Sequence, residues 1–291
     1  MKKYLLCLPL FIYTIIYGQN SILWEITGPK IKPSYLMGTM HVGDQRILNL
    51  NDSVHICMQK SKVLALELNL DQSLKPGQMI KLLSMIKLPQ DTSYSDLLNS
   101  DDLAYLHQNL ERQLISPFNQ IWTQLKPSFV GLLMMQSDSN IAQNSDTPPL
   151  DLYLHELSKK YKLKHTGLEL LTDQIRVLDA LPLKTQAQLL IEELKDSTPL
   201  NVYDKLLELY LDQDIESLKK LIEENELNDH FKNNIIGNRN ITMTSQLIQL
   251  AKKKRTFVAV GAGHLGGEDG IISLLREKGF NVRAVYAPFN N

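Results

Sequence analysis

Two stretches far apart in the chain couple an apolar run to Gly-x-x-His. Tyr35-Leu36-Met37-Gly38-Thr39-Met40-His41-Val42-Gly43 is echoed by Val258-Ala259-Val260-Gly261-Ala262-Gly263-His264-Leu265-Gly266. Glycine lets a chain turn sharply as it leaves a buried strand. The histidine then projects from the loop at the strand's carboxyl end, the edge where open α/β sheets bind ligands. Imidazole serves as a metal ligand and as a proton carrier near neutral pH. Two such loops at one edge therefore supply two ligands to one cation, or one ligand and one base. A lone histidine in this setting is more often a hydrogen-bonded structural residue, so the repetition carries the reading. Two copies point to two halves that bring equivalent loops to one sheet, and are too few for a solenoid.

Carboxylates add to this pair. Glu67 interrupts the apolar run Val63 to Leu70, and a buried ionised carboxylate is costly unless it is paired or bound to a metal. Glu169, in Thr166-Gly167-Leu168-Glu169, repeats the strand-then-carboxylate pattern, and Gln174 follows it. Arg239 and Asn240 sit in an apolar-rich helical stretch, where alone they read as a surface stripe or an ion pair. Asp44, Glu268 and Asp269 flank the two motifs and serve equally as further ligands or as helix caps. The chain has no His-Glu-x-x-His helix, since His155-Glu156 lacks the second histidine, and no Gly-x-Ser-x-Gly elbow or P-loop. His55, His107, His155, His165 and His230 occupy ordinary contexts and read as surface or structural residues.

The elements that position these groups follow from periodicity and breakers. Ile22 to Ile26 alternates as a strand, and Ser34 to Met37 makes its hairpin partner. Val63 to Leu68 is apolar on both faces, which suits a central strand covered on both sides. Helices are expected over Asp52 to Lys60, Ser100 to Leu114, Ser128 to Met135 and Leu150 to Lys162. Two more share Leu200 to Glu224, and a long one spans Asp229 to Lys253. Lys164 to Glu169, Arg255 to Val260 and Asn281 to Tyr286 read as strands, with a helix from Asp269 to Lys278 closed by Gly279. Strands at both ends with helices between and around them give a mixed α/β (α+β) fold, a central β-sheet with flanking helices. Asp138 to Pro149 is the most loop-like stretch.

The 291 residues are 43% apolar and 22% charged, with a formal net charge of −1. That supports a full core and argues against nucleic acid as a partner. The basic run Lys252–Arg255 reads as a solvated helix end. Lys2 and Lys3, followed by the uncharged Tyr4 to Tyr17 and the small Gly18, have the layout of a secretory signal peptide. The expectation is a signal peptide over residues 1–18, cleavage near Gly18–Gln19 and one exported domain over 19–291, periplasmic or secreted. No later segment approaches the ~18 apolar residues a membrane-spanning helix needs. Cys57 is then the one remaining thiol, and it reads as a buried structural residue.

Taken together, the short motifs resemble the TraB/GumN family in content and order. Leu23-Trp24-Glu25-Ile26 with the first Gly-x-x-His resembles its opening, Leu66-Glu67 its strand-end glutamate, and Gly167-Leu168-Glu169 with Gln174 its central motif. Gly237-Asn238-Arg239-Asn240 resembles its Arg-Asn helix, and Val260 to Gly266 its closing motif. The resemblance runs from about Trp24 to Val285. The family is similar to Tiki-type metalloproteases and, more distantly, to erythromycin esterases and ChaN-like proteins.

That resemblance implies a site built from His41, Glu67, Arg239, Asn240 and His264, with Glu169 as a further member. The expected chemistry is metal-assisted hydrolysis with a divalent cation (Zn, Mn, Co or Fe) on His41, His264 and Glu67. If Glu67 is not a ligand it is the general base. Arg239 or Asn240 would stabilise the oxyanion. The substrate is a peptide, by resemblance alone, or a small molecule. Two other readings stand beside it: a non-catalytic periplasmic protein binding a small ligand or haem-like cofactor, and a metal-independent esterase using one histidine as base.

Overall fold

The computed structural model describes residues 20–41, 43–73, 75–114, 116–137, 147–195, 199–225 and 237–290. The signal-peptide segment, His230, Val42, most of the loop-like stretch after Asp138 and the start of the long helix expected from Asp229 lie outside these residues. Six strands form one sheet: β1 (Leu23–Thr27), β2 (Ser34–Thr39), β3 (Val63–Leu68), β4 (Lys164–Glu169), β5 (Thr256–Gly261) and β6 (Asn281–Ala284). Their order is β4-β3-β5-β2-β1-β6. The first four in that order are parallel, and β1 joins antiparallel between β2 and β6.

β3 sits between β4 and β5 with its first five residues buried, as its continuous apolar run requires. The motif strands β2 and β5 are direct neighbours, with Gly38 opposite Val260 and Thr39 opposite Gly261. Their entries differ: β2 is the second arm of a hairpin, and β5 follows a long helix.

Helices cover the sheet. Those that matter here are α1 (Asp52–Lys60), α2 (Leu70–Ser73), α3 (Pro76–Ile86), α4 (Ser100–Gln113), α5 (Pro127–Ser137), α6 (Leu150–Lys160) and α7 (Leu171–Leu178). They are followed by α8 (Leu183–Lys195), α9 (Pro199–Leu211), α10 (Ile215–Asn225), α11 (Asn238–Lys253) and α12 (Ile271–Glu277). One core joins the sheet to α1, α6, α9, α10, α11 and α12 through residues such as Leu154, Tyr210, Met243 and Ile272. A second apolar cluster, with Leu106, Trp122, Val130 and Leu190, holds the mid-chain helices to one another. None of the described helices is long and apolar enough to cross a membrane.

The expected elements are present with small shifts in their ends. The last strand stops at Ala284 rather than Tyr286, and α12 begins at Ile271 rather than Asp269. Gly279 closes α12 in a left-handed conformation, φ 81°. Lys252, Lys253 and Lys254 are solvent-exposed at the end of α11. Cys57 is buried, and burial pushes its thiol up to about 11, which leaves it protonated and inert.

The glycines of the two motifs serve space rather than turning. Gly38 lies inside β2, and a Cβ there would stand 3.1 Å from both Ala262 Cα and Ala262 Cβ, and 3.2 Å from Leu265 Cδ2. The second motif's loop therefore packs directly on the first motif's glycine. Gly38→Ala is expected to cost about 1–3 kcal/mol of stability by overpacking. Chemical denaturation measures this, and a loss below experimental error would mean the two loops are not tightly apposed.

Candidate functional site

The parallel strands deliver the motif residues to one edge. β2 runs into His41, β3 carries Glu67 next to its end, β4 ends on Glu169, and β5 ends on Gly261 ahead of a short 3-10 turn holding His264. Arg239 and Asn240 come from the first turn of α11. All the residues expected in the site thus meet around the carboxyl ends of β2, β3, β4 and β5.

Glu67 is the centre of this arrangement. Its Oε1 accepts a hydrogen bond from the Gly261 N–H at 2.7 Å, and its Oε2 accepts one from Arg239 Nη2 at 2.7 Å. Arg239 also donates to Glu169, through Nε at 3.0 Å and Nη2 at 2.8 Å. Gln174 Nε2, from α7, reaches Glu67 Oε2 at 3.3 Å and Glu169 Oε2 at 3.2 Å. One guanidinium thus holds two buried carboxylates, a pairing that answers the cost of burying them. Burial works against ionisation of Glu67, but the neighbouring His264, Arg239 and His41 and the Gly261 N–H outweigh it and hold the carboxyl down at about 2.

His264 is oriented from behind. The Asn240 side chain is fully buried, and its Nδ2 donates to the Asp269 carbonyl at 2.8 Å. Its Oδ1 therefore faces His264 Nδ1, 2.7 Å away, and can only accept, so Nδ1 carries the proton. The Nε2 lone pair is left towards Glu67 Oε1 at 3.7 Å. Burial lowers the His264 pKa to about 4, so the ring is neutral at pH 7.

His41 is held in the same manner by a residue that the motifs did not point to. Its Nδ1 lies 2.6 Å from Asp151 Oδ2, at the start of α6, and Thr39 Oγ1 donates to Asp151 Oδ1 at 2.8 Å. The Asp151 carboxylate raises the His41 pKa to about 9, although the side chain is 62% exposed and water screens part of that effect. In the sequence Asp151 is an acid in a first helical turn after Pro148-Pro149, which reads as dipole compensation. Its true partner is 110 positions upstream and invisible to local pattern.

These groups converge above Gly261, around the place its side chain would take. A Cβ built there would lie 3.3 Å from Glu67 Oε1, 3.6 Å from His264 Cδ2 and 3.7 Å from His41 Nε2. Two imidazoles with their outer nitrogens engaged and one carboxylate face one hollow kept clear by the absence of a side chain. Such orientation by a carboxylate or amide behind the ring is the usual environment of a metal-bound histidine. Two imidazoles and a carboxylate are residue types that ligate divalent cations.

A match to the model of the TraB/PrgY/gumN family covers residues 22–284. The chain belongs to that family. It is also similar to curated proteins named as metalloproteases. It is 25% identical to Metalloprotease TIKI1 of Xenopus tropicalis over 90% of this chain and 61% of that protein. It is 23% identical to the Metalloprotease TIKI homolog of Amphimedon queenslandica, over 91% and 61%, and 24% identical to human Metalloprotease TIKI1, over 90% and 61%. The chain thus spans about three-fifths of the length of these relatives. No solved structure matches it. Within the TraB/PrgY/gumN family this protein carries metalloprotease-like relatives, and the hollow above Gly261 is its candidate centre.

Among the described residues, however, the one group of three His, Cys, Asp or Glu side chains whose donor atoms all lie within 4.8 Å of one another is Asp71, His155 and His165. The donors of His41, Glu67 and His264 are set wider than that. His155 and His165 read as ordinary structural residues in the sequence, and only the tertiary fold places them together.

Proposed function

We propose that this protein is an exported, metal-dependent hydrolase acting on peptide bonds, with its centre in the hollow above Gly261. The observation that supports it most is the matched treatment of the two motif histidines. Each has Nδ1 engaged by a side chain behind it, and each turns Nε2 or its ring edge to the Glu67 side of the hollow.

His41, His264 and Glu67 would hold the cation, with the exposed His41 moving inward to complete the set. When bound, a divalent cation of the Zn, Mn, Co or Fe class acidifies water and polarises a carbonyl. Glu67 serves as ligand rather than as general base. A carboxyl held at about 2, with both oxygens already accepting hydrogen bonds, is a weak proton acceptor at neutral pH. Arg239 holds Glu67 and Glu169 in place. Asn240 acts as a positioning residue, because its side chain is fully buried behind His264, with Oδ1 facing the ring and Nδ2 donating to the Asp269 carbonyl.

The outer partners provide the test. Asn240→Ala and Asp151→Asn leave the proposed ligands in the chain but free the imidazoles they orient. Each is expected to weaken metal affinity by about 10–100-fold. Competition against a chromophoric chelator reads this directly and needs no substrate. Unchanged affinity in both variants would show that the hollow is not where the metal binds, and would favour a histidine-based esterase without metal.

A further inference from the structure

The centre just described leaves one cluster of ligating groups unused. Asp71 lies on α2 just after β3, His155 in the middle of α6, and His165 near the start of β4. Asp71 Oδ1 is 3.1 Å from His155 Nε2, and Asp71 Oδ2 is 2.7 Å from His165 Nδ1. The two imidazole centroids are 4.4 Å apart. The His155 and His165 side chains are 5% and 13% exposed, while Asp71 is 52% exposed. Two buried imidazoles therefore share one carboxylate that faces water.

The protons in this cluster can be counted. Ser158 Oγ, fully buried, donates its single proton to the His155 carbonyl at 2.6 Å. It is also 2.7 Å from His165 Nε2, so there it can only accept, and Nε2 carries a proton. A neutral His165 then turns a bare Nδ1 lone pair at Asp71 Oδ2, 2.7 Å away. Two acceptors at that distance need a positive charge between them: a second proton on the ring or a metal ion. At His155 a proton on Nε2 also satisfies the contact to Asp71 Oδ1, and the unmet group is on the other side of the ring. Its buried Nδ1 has no hydrogen-bond partner, the nearest carboxylate oxygen being Glu156 Oε1 at 3.5 Å. A cation on Nε2 would place the proton of the neutral ring on Nδ1, towards Glu156.

The distances suit an ion as well. Tetrahedral zinc with ligands at about 2.0–2.1 Å sets neighbouring donor atoms about 3.3 Å apart. The two Asp71 contacts, 3.1 and 2.7 Å, stand close to that spacing, all three donors lie within 4.8 Å of one another, and the exposed side of Asp71 leaves the fourth position to water. The Ser158 hydroxyl behind His165 is the kind of outer partner that fixes a ligating imidazole.

We propose that Asp71, His155 and His165 form a second divalent-cation site, of the Zn2+ or Co2+ class, separate from the hollow above Gly261. Its place in the fold gives it a bracing role. Asp71 follows Glu67 by four residues, His155 follows Asp151 by one helical turn, and His165 precedes Glu169 by four. An ion at this site ties together the three segments that present those residues. The existence of the site does not depend on the proposed hydrolytic reading; only the bracing does.

The test uses the full chain with His41→Ala and His264→Ala, which removes both imidazoles of the first centre. Freed of metal and titrated with Zn2+, and separately with Co2+, this variant is expected to take up one equivalent. Adding His165→Gln or Asp71→Asn should abolish that uptake, and Ser158→Ala should weaken it by about 10–100-fold. The proposal is overturned if the double variant, folded by circular dichroism and cooperative melting, takes up neither ion, or if His165→Gln leaves its uptake unchanged. If the multiply substituted chain does not fold, the wild-type protein is compared with His165→Gln alone. One equivalent fewer supports the site, and no change overturns it. A metal lost with His264→Ala but not with His165→Gln removes the second site and leaves the first; the reverse pattern removes the first and leaves the second.

Discussion

Purified without chelators, His264→Ala should lose one equivalent of transition metal per chain and at least about 10³-fold in peptide-hydrolysing turnover. A Lewis acid supplies several kcal/mol of transition-state stabilisation, and each 1.36 kcal/mol is tenfold in rate. His264 is the better probe of the two histidines. It is neutral at pH 7, buried, and held by Asn240. His41→Ala should give the same double loss. Glu67→Gln keeps the side chain's size while removing its charge, and separates two roles. Loss of metal together with turnover marks a ligand, as proposed above. Loss of turnover with full metal content marks a general base and would correct the assignment. Metal content by elemental analysis and cleavage of a peptide library read all three variants. A His264→Ala protein that keeps both its metal and its turnover would end the metallohydrolase reading.

Arg239→Met should destabilise the fold by about 3–5 kcal/mol, the usual result of removing one partner from a buried ion pair. The guanidinium is the shared cation of Glu67 and Glu169, whose side chains are only 11% and 4% exposed. Its removal leaves two buried carboxylates facing one another, with the Gln174 amide and the Gly261 N–H as the remaining hydrogen-bond donors among the described residues. A role confined to oxyanion stabilisation predicts otherwise: turnover would fall and the unfolding midpoint would hardly move. The companion variant is Arg239→Met with Glu169→Gln, which neutralises one of the stranded acids and should recover part of the loss. Urea unfolding of the two variants decides the matter. A wild-type midpoint for Arg239→Met would show that the ion-pair network contributes little to the fold and return Arg239 to the oxyanion role.

The local sequence carried the chemistry of the first centre because its parts are written as strand ends. An apolar run of strand length that stops at Gly-x-x-His, or that admits a single glutamate, states both the element and the edge at which the group emerges. Gly38, His41, Glu67, Glu169 and His264 were legible on that ground, and the parallel sheet then had to gather them at one edge. Arg239 and Asn240 were singled out by their resemblance to a family motif, and their own helix gave only a surface stripe or an ion pair. Their contacts belong to tertiary structure. Arg239 spans β3 and β4, and Asn240 locks His264, because α11 starts above those strand ends. The same holds more strongly for Asp151 behind His41 and for Asp71 beside His155 and His165. Asp71 lies 84 positions from His155 and 94 from His165, and Asp151 lies 112 positions from Thr39, its other partner. Periodicity reports which face of an element is apolar, and it is blind to which element lies opposite. That is set by strand order and by where each crossover helix returns. The sequence by itself therefore determined the strands, the edge and the residue types of one centre. Only the packed fold decided which nitrogen of each histidine is free, which acids share Arg239, and that a second pair of imidazoles meets a carboxylate at all.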